Sequence, residues 1–286
     1  MKCINKWICL SLLIAVSCVS GCGKTSAAIE QPYDVYATAA DFGLSSNGTA
    51  EAKSYFASDL CVSEDVAIGT DSTDSQLAEG AGTFNLETNT VVYAKNLYER
   101  LYPASTTKIL TAYIALKYCD DLDAMVTVSE NAVNQASDSS VCNLKAGDVI
   151  RLRDLLYGLM LRSGNDAAVA IAEYISGDVD SFAALMNQEA AAMGATRSHF
   201  VNPNGLPDEN HYTCVYDMYL IFSNAIKNDT FVSIIGTTSY DVTYTDASGE
   251  AVTHTWENTN QYLTGNATTP DGFQIVGGKT GTTGEA

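Results

Sequence analysis

Between Ser105 and Ile226 the chain carries five helix-forming stretches, and on both sides of that block the pattern turns to β. Ser105–Tyr118 spaces Ile109, Leu110, Tyr113, Ile114 and Leu116 as one helical face, with Pro103 just ahead where it helps set a helix start. Leu152–Leu161 is a second helix, broken by Arg162-Ser163-Gly164-Asn165. Asp166 suits the N-cap of a third, Ala167–Ile175, which ends at Gly177. Ser181–Met193, stopped by Gly194, and a stretch from about Val215 to Ile226 complete the block. Ahead of it, Gly82–Leu86 and Val91–Ala94 flank the polar turn 87–90 and predict a hairpin. Behind it, Tyr240–Thr245 and Ala251–Trp256 flank a turn at 246–249, and Phe273–Thr282 reads as a last strand. Asn202-Pro203-Asn204-Gly205-Leu206-Pro207 is a dense turn signal. Strands, a helical block, then strands predict an α+β fold with the helices inserted in the middle.

The N-terminus follows different rules. Lys2 and Lys6 precede an almost wholly apolar run, Trp7–Val19, which is the length of a signal-peptide core and short for a bilayer span. It ends in Val19-Ser20-Gly21-Cys22, which resembles a lipobox, where a lipoprotein signal peptidase cuts before a diacylated Cys. A plain signal peptide with a chance Cys nearby would look similar; the small residues at both positions before Cys22 favour the lipoprotein. The expected organisation is then a signal peptide over 1–21, a flexible tether over 22–60 and a folded domain over 61–286. The tether is rich in Ala, Ser, Thr, Gly and acidic residues. About 40 such residues have an end-to-end distance of roughly 30–40 Å, which holds a domain off a membrane without fixing its orientation.

Composition narrows the function classes. The chain has 15 Lys+Arg against 34 Asp+Glu, a formal charge of −19, which argues against binding nucleic-acid phosphates. Removing the leader leaves 13 basic against 34 acidic residues, or −21. Solubility of an exported protein accounts for this acidity more simply than repulsion of anionic wall polymers or association with metal. The three His, at 199, 211 and 254, fit no HExxH pattern and are expected to be structural or exposed, so no metal site is expected. Of eight Cys, Cys61, Cys119, Cys142 and Cys214 remain after the leader and Cys22 are set aside. They lack metal spacing; an exported chain can pair them in three ways, or leave them as buried thiols.

Three short motifs carry chemistry. Ser105-Thr106-Thr107-Lys108 puts a hydroxyl and an amine one helical turn apart, so Lys108 can serve as base for Ser105 if burial and a second cation lower its pKa. A Ser and a Lys at this spacing alone occur by chance in a chain this long. Ser163-Gly164-Asn165 lies in a tight break between two apolar helices, but Ser45/Asn47 and Ser129/Asn131 share its spacing. Gly277-Gly278-Lys279-Thr280-Gly281-Thr282 ends the predicted last strand, its glycines permitting close approach of backbone or substrate. A P-loop is excluded because its first Gly would fall at Phe273, and there is no Gly-x-Ser-x-Gly.

Taken in order, these motifs are the set of the penicillin-recognising serine enzymes. Tyr102–Lys108, Leu161–Ala168 and Gly278–Gly281 resemble the D-alanyl-D-alanine carboxypeptidases of the low-molecular-mass penicillin-binding protein type, peptidase family S11. Leu144–Asp148 and Phe200–Pro207 share the resemblance, which covers about residues 78–286. Where that family usually has Ala-Arg-Asp, this chain has Val215-Tyr216-Asp217.

The resemblance implies a β-lactamase/transpeptidase-like fold: an antiparallel sheet with a helical subdomain, about 105–235, inserted between the hairpin and the Lys-Thr-Gly strand. It implies Ser105 as nucleophile and Lys108 as base. Ser163 would relay a proton and Asn165 hold the substrate amide. Lys279 would lower the pKa of Lys108, and Thr280 and Gly281 would line the substrate. The backbone N–H groups of Ser105 and Thr282 would form the oxyanion hole. The expected substrate is a peptidoglycan pentapeptide, with β-lactams as covalent inhibitors, no cofactor, and a place on the outer face of a bacterial membrane through lipid on Cys22. A class A β-lactamase shares the three motifs, but the chain lacks its Glu-x-x-Leu-Asn loop. The motifs also fit a D,D-endopeptidase, or a non-catalytic lipoprotein that binds peptidoglycan or senses β-lactams. Intact Ser105, Lys108 and Lys279 speak against the non-catalytic form. In the family two further strands and a helix follow the Lys-Thr-Gly strand, so a chain stopping at Gly284-Glu285-Ala286 is expected to lack them.

Overall fold

The computed structural model describes residues 57–69 and 78–282. The expected leader, Cys22 and most of the tether lie outside the described residues. Every element belongs to the unit that starts at Asp59.

The hairpin forms as β1 (Ala81–Asn85) and β2 (Thr90–Lys95), antiparallel, with a bulge at Thr83/Phe84. A 3-10 turn, Ala104–Thr107, leads into α1 (Lys108–Tyr118). Then come β3 (Met125–Thr127), the single turn α2 (Glu130–Val133), β4 (Val149–Arg151), α3 (Leu152–Leu161), α4 (Asn165–Ser176) and α5 (Val179–Ala192). The last elements are α6 (Val215–Ala225), α7 (Asp229–Ile235), β5 (Ser239–Thr245) and β6 (Ala251–Glu257).

Helix α1 is the axis of the helical block. Leu110, Ala112, Ile114 and Ala115 are wholly buried, and α3, α4, α5, α6 and α7 all pack on it. A helix apolar on nearly every side must lie at the centre of a bundle, and this one carries Lys108 into the core at its first residue. Helix α3 supplies Leu152, Leu155, Leu156, Leu159 and Leu161 to the same core, each fully buried. Burial of each such side chain stabilises by roughly 1.5–3 kcal/mol.

The strands form two sheets, β1-β2 and β3-β4-β5-β6, both antiparallel. In β5 the alternation points Tyr240, Val242 and Tyr244 inward, opposite Trp256, His254 and Val252 of β6. The expected strand Phe273–Thr282 does not form: the segment runs without a ladder partner among the described residues. It is seated instead by close packing, since a Cβ on Gly277 would stand 2.6 Å from the Ile235 carbonyl oxygen at the end of α7.

Two local expectations also change. Asp166 does not cap α4; Gly164 holds that position, and the Asp166 carboxylate sits inside the first turn. There it accepts from the N–H groups of Cys142 (2.9 Å), Leu144 (3.1 Å) and Ala167 (2.9 Å). Helix α5 starts two residues before Ser181, because Asp178 caps it by accepting from Ser181 N–H at 2.6 Å.

Candidate active site

The sequence places Ser105 and Lys108 on one α-helix; the structure refines this. Ser105 sits in the 3-10 turn and Lys108 opens α1. With three residues per turn, side chains at i and i+3 eclipse, and Lys108 Nζ lies 2.9 Å from Ser105 Oγ. The turn is tied at its start, where Thr106 donates twice to the Pro103 carbonyl, from N–H at 3.1 Å and from Oγ1 at 2.6 Å. Ala104, just ahead of the serine, has φ +49, and Ser163 has φ +58. Left-handed backbone at non-glycine residues costs about 1–3 kcal/mol each and persists only where the surroundings impose it. Here it falls on the residue before Ser105 and on Ser163 itself.

Lys108 is fully buried. Its Nζ also donates to Asn165 Oδ1 at 2.8 Å and to the Asn204 carbonyl at 2.6 Å. Burial, and next the positive charge of Lys279, hold its pKa well below the ordinary lysine value. Lys279 donates to Ser163 Oγ at 3.0 Å and to the Thr280 carbonyl at 2.6 Å, and burial brings its pKa down to about 8. The buried Asp166 carboxylate acts on Lys108 in the opposite sense. Asn165 N–H donates to the Ser140 carbonyl at 2.8 Å, which ties the 138–144 segment to the start of α4.

Ser105, Lys108, Ser163, Asn165 and Lys279 thus come together, the arrangement that the resemblance implies. Thr280 reaches Thr259 Oγ1 at 2.7 Å, and a Cβ on Gly281 would stand 3.3 Å from Ser105 N. Ser105 and Thr282 line two cavities that flank the nucleophile. One, about 460 Å³, also takes in Ser163, Asn260, Gln261, Tyr262, Thr280 and Gly281. The other, about 470 Å³, takes in Asp138, Ser140, Asn165, Asn204, Leu206 and Pro207. The competing Ser129/Asn131 pair is elsewhere, both side chains donating to the Glu173 carboxylate. Sequence reasoning missed the Asn204 carbonyl, Ser140 and the 260–262 segment. The Asn204 contact is a backbone atom and leaves no trace in residue type; its only signal was the turn-rich run 202–207.

The family model of the D-alanyl-D-alanine carboxypeptidases, peptidase family S11, matches residues 70–286. The chain belongs to this family. It is 35% identical over 164 residues to the D-alanyl-D-alanine carboxypeptidase DacF of Bacillus subtilis, a match spanning 56% of this chain and 42% of that one. It is 37% identical over 196 residues to a D-alanyl-D-alanine carboxypeptidase of a Streptomyces species, covering 65% of this chain and 67% of that one. Among solved structures, a variant of the Streptomyces K15 DD-transpeptidase superposes with a TM-score of 0.68 at 35% identity, over 73% of this chain and 82% of that one. The fold is therefore the α+β penicillin-binding, transpeptidase-type fold. The match spans under half the length of the Bacillus relative.

This family member keeps Cys61, Cys119, Cys142 and Cys214 as free thiols. Cys214 Sγ accepts from Asp217 N–H at 3.4 Å and caps α6. Burial and the neighbouring Asp166 raise the Cys142 thiol well above its ordinary value, so it stays protonated. Among the described residues no helix is long and apolar enough to cross a membrane.

Proposed function

We propose that the chain is a serine D-Ala-D-Ala carboxypeptidase that removes the terminal D-Ala of peptidoglycan stem peptides through a Ser105 acyl-enzyme. The observation that carries this reading is a wholly buried amine, Lys108 Nζ, 2.9 Å from Ser105 Oγ. Its other two hydrogen-bonding directions are taken by the carbonyl oxygens of Asn165 and Asn204. A neutral amine has two N–H groups and one lone pair. With both N–H groups held by carbonyls, the lone pair faces Ser105 and can take its proton.

Ser105 Oγ then bonds to the carbonyl carbon of the D-Ala-D-Ala peptide. The backbone N–H groups of Ser105 and Thr282 receive the oxyanion. As the C–N bond breaks, Lys108 returns the proton to the leaving nitrogen through Ser163, whose Oγ is 3.0 Å from Lys279 Nζ. Asn165 holds the substrate amide. Lys279, with the Thr280 and Thr282 hydroxyls, offers charge and donors to the terminal carboxylate. Water attacks the acyl-enzyme with the same base. β-Lactams acylate Ser105 by the first half of this path. The similarity to a DD-transpeptidase favours a second reading in which an amine, not water, accepts the acyl group.

Fluorescent penicillin is expected to label the full chain, and Ser105→Ala to abolish labelling. Equal labelling of the variant contradicts the nucleophile assignment. Release of D-Ala from a pentapeptide, set against cephalosporin hydrolysis, separates a carboxypeptidase from a β-lactamase. A cross-linked dimer substrate tests for endopeptidase activity, and added glycine as acceptor tests for transfer.

The membrane attachment belongs to the same reading: lipid on Cys22 anchors the protein to the outer face of a bacterial membrane, with 23–60 as tether. What supports it is the apolar run Trp7–Val19 ending in Val19-Ser20-Gly21-Cys22. Labelled palmitate should be incorporated in cells, and Cys22→Ala should remove the label; incorporation by the variant refutes the anchor.

A further inference from the structure

His211 is 1% exposed, and none of the steps above uses it. Its Nδ1 accepts from Val201 N–H at 3.1 Å, so the neutral ring keeps its proton on Nε2, which faces Thr107 Oγ1 at 2.9 Å. These partners are informative. Thr107 immediately precedes Lys108, and Val201 opens the loop that carries Asn204, whose carbonyl receives Lys108 Nζ. The ring therefore bridges both ends of the Lys108–Asn204 contact.

The rest of the loop is held in the same sense. Thr111 Oγ1 donates to the Pro203 carbonyl at 2.7 Å, and Asn202 Oδ1 accepts from Gly205 N–H at 2.7 Å. Gly205 has φ +85, and a Cβ there would stand 1.8 Å from the Ala104 carbonyl oxygen. The loop thus lies directly against the turn that carries Ser105. Behind His211 the chain is pinned by paired backbone bonds, Tyr212 with His199 and Thr213 with Leu101.

We propose that His211 is a positioning residue for the general base: bridging Thr107 and Val201, it holds the Asn204 carbonyl against Lys108 Nζ and so aims the amine's lone pair at Ser105. This rests on the serine-acyl-enzyme reading above. The charged or titratable groups around the ring are Asp208 and His199, and those around Lys108 are Lys279, Asp166 and Cys142. The bridge works only while the ring is neutral, because a proton on Nδ1 would oppose the Val201 N–H.

Breaking the bridge has two consequences. A base displaced by about an ångström loses on the order of a hundredfold in rate. The Lys108 ammonium also loses an acceptor that favours its charged form, so the acid limb of acylation moves to lower pH.

The test is the rate of acylation by fluorescent penicillin, per site finally labelled, from about pH 5 to about pH 9, on the full chain and on Thr107→Val, His211→Gln and His211→Ala. Thr107→Val and His211→Ala are expected to acylate tenfold or more slowly, with the acid limb moved down. His211→Gln, whose amide offers one acceptor and one donor, is expected to recover part of both. A residue that merely supports the fold would lower the number of labelled sites and leave rate and limb per site unchanged; that outcome overturns the proposal. So does parental behaviour of Thr107→Val, which decides the matter if His211→Ala fails to fold. If the parent chain is not acylated at all, the functional reading falls and the bridge with it. If the parent is acylated and the variants match it, only the bridge falls.

Discussion

A lysine proposed as a base at ordinary pH needs a reason to be neutral, and Lys108 has two: burial, then the charge of Lys279. The two lysines are therefore linked, which sets the expected pH profile. Activity rises as Lys108 loses its proton and falls above about pH 8 as Lys279 loses its own, since a neutral Lys279 no longer attracts an anionic substrate. Replacing Lys279 by Gln removes the second cause of the Lys108 shift. The acid limb of kcat/KM for D-Ala release should move to higher pH, and the limb near pH 8 should vanish. An acid limb that stays in place shows that burial alone sets the base. At this scale the sequence was most informative, because Ser105, Lys108, Ser163, Asn165 and Lys279 meet through side chains whose identity is written in the motifs. The Asn204 carbonyl and the His211 bridge were not legible. One is backbone, and the other is a lone histidine whose role depends on partners 10 and 104 residues away.

Helices were legible as elements because each presents a sustained apolar face to one core, and α1, α3, α4, α5 and α6 all stand close to their expected positions. What periodicity could not reveal are elements too short to have a period, such as β3 and β4 of three residues each. The start of α1 was misplaced for a related reason: a 3-10 turn and an α-helix share the same residues at i and i+3. Phe273–Thr282 has a strand-like composition, yet a strand exists only through its ladder, and its contacts are instead side-chain and van der Waals ones. The turn-rich run 202–207 was recognised as a turn, but not as a wall of the site. Gly205→Ala tests that role. The added Cβ meets the Ala104 carbonyl at a left-handed φ, so the loop must withdraw from the Ser105 turn. The expected cost is about 2 kcal/mol or more, with loss of penicillin acylation beyond the loss of folded protein. A variant with parental melting temperature and acylation rate would falsify the close-packed loop.

Across the whole folded unit, the order of strands, helices and strands was legible, while the division into two sheets was not, because pairing partners are not encoded locally. The chain's formal charge of −19 suggests that acid should relieve self-repulsion and stabilise the fold. The buried groups argue the opposite. His211 is held neutral, its pKa brought from 6.5 to about 4 by burial, so the unfolded chain takes up a proton first as pH falls. Stability from this group is complete above about pH 6.5 and declines by up to about 3 kcal/mol toward pH 4. Lys279 and Lys108 act in the same direction at higher pH. Both are lowered from 10.5, so stability falls as pH drops from there, for Lys279 down to about 8. Tyrosines set the upper bound. Burial raises Tyr240, Tyr244 and Tyr219, the last to about 12, so stability is lost as pH rises beyond their ordinary value of 10.0. The melting temperature should therefore peak on the alkaline side of neutrality, well above the isoelectric point near 4.3. It should fall steadily between about pH 6.5 and pH 4, and His211→Gln should flatten that slope. A melting temperature that rises toward the isoelectric point would show that surface repulsion outweighs the buried histidine and lysines.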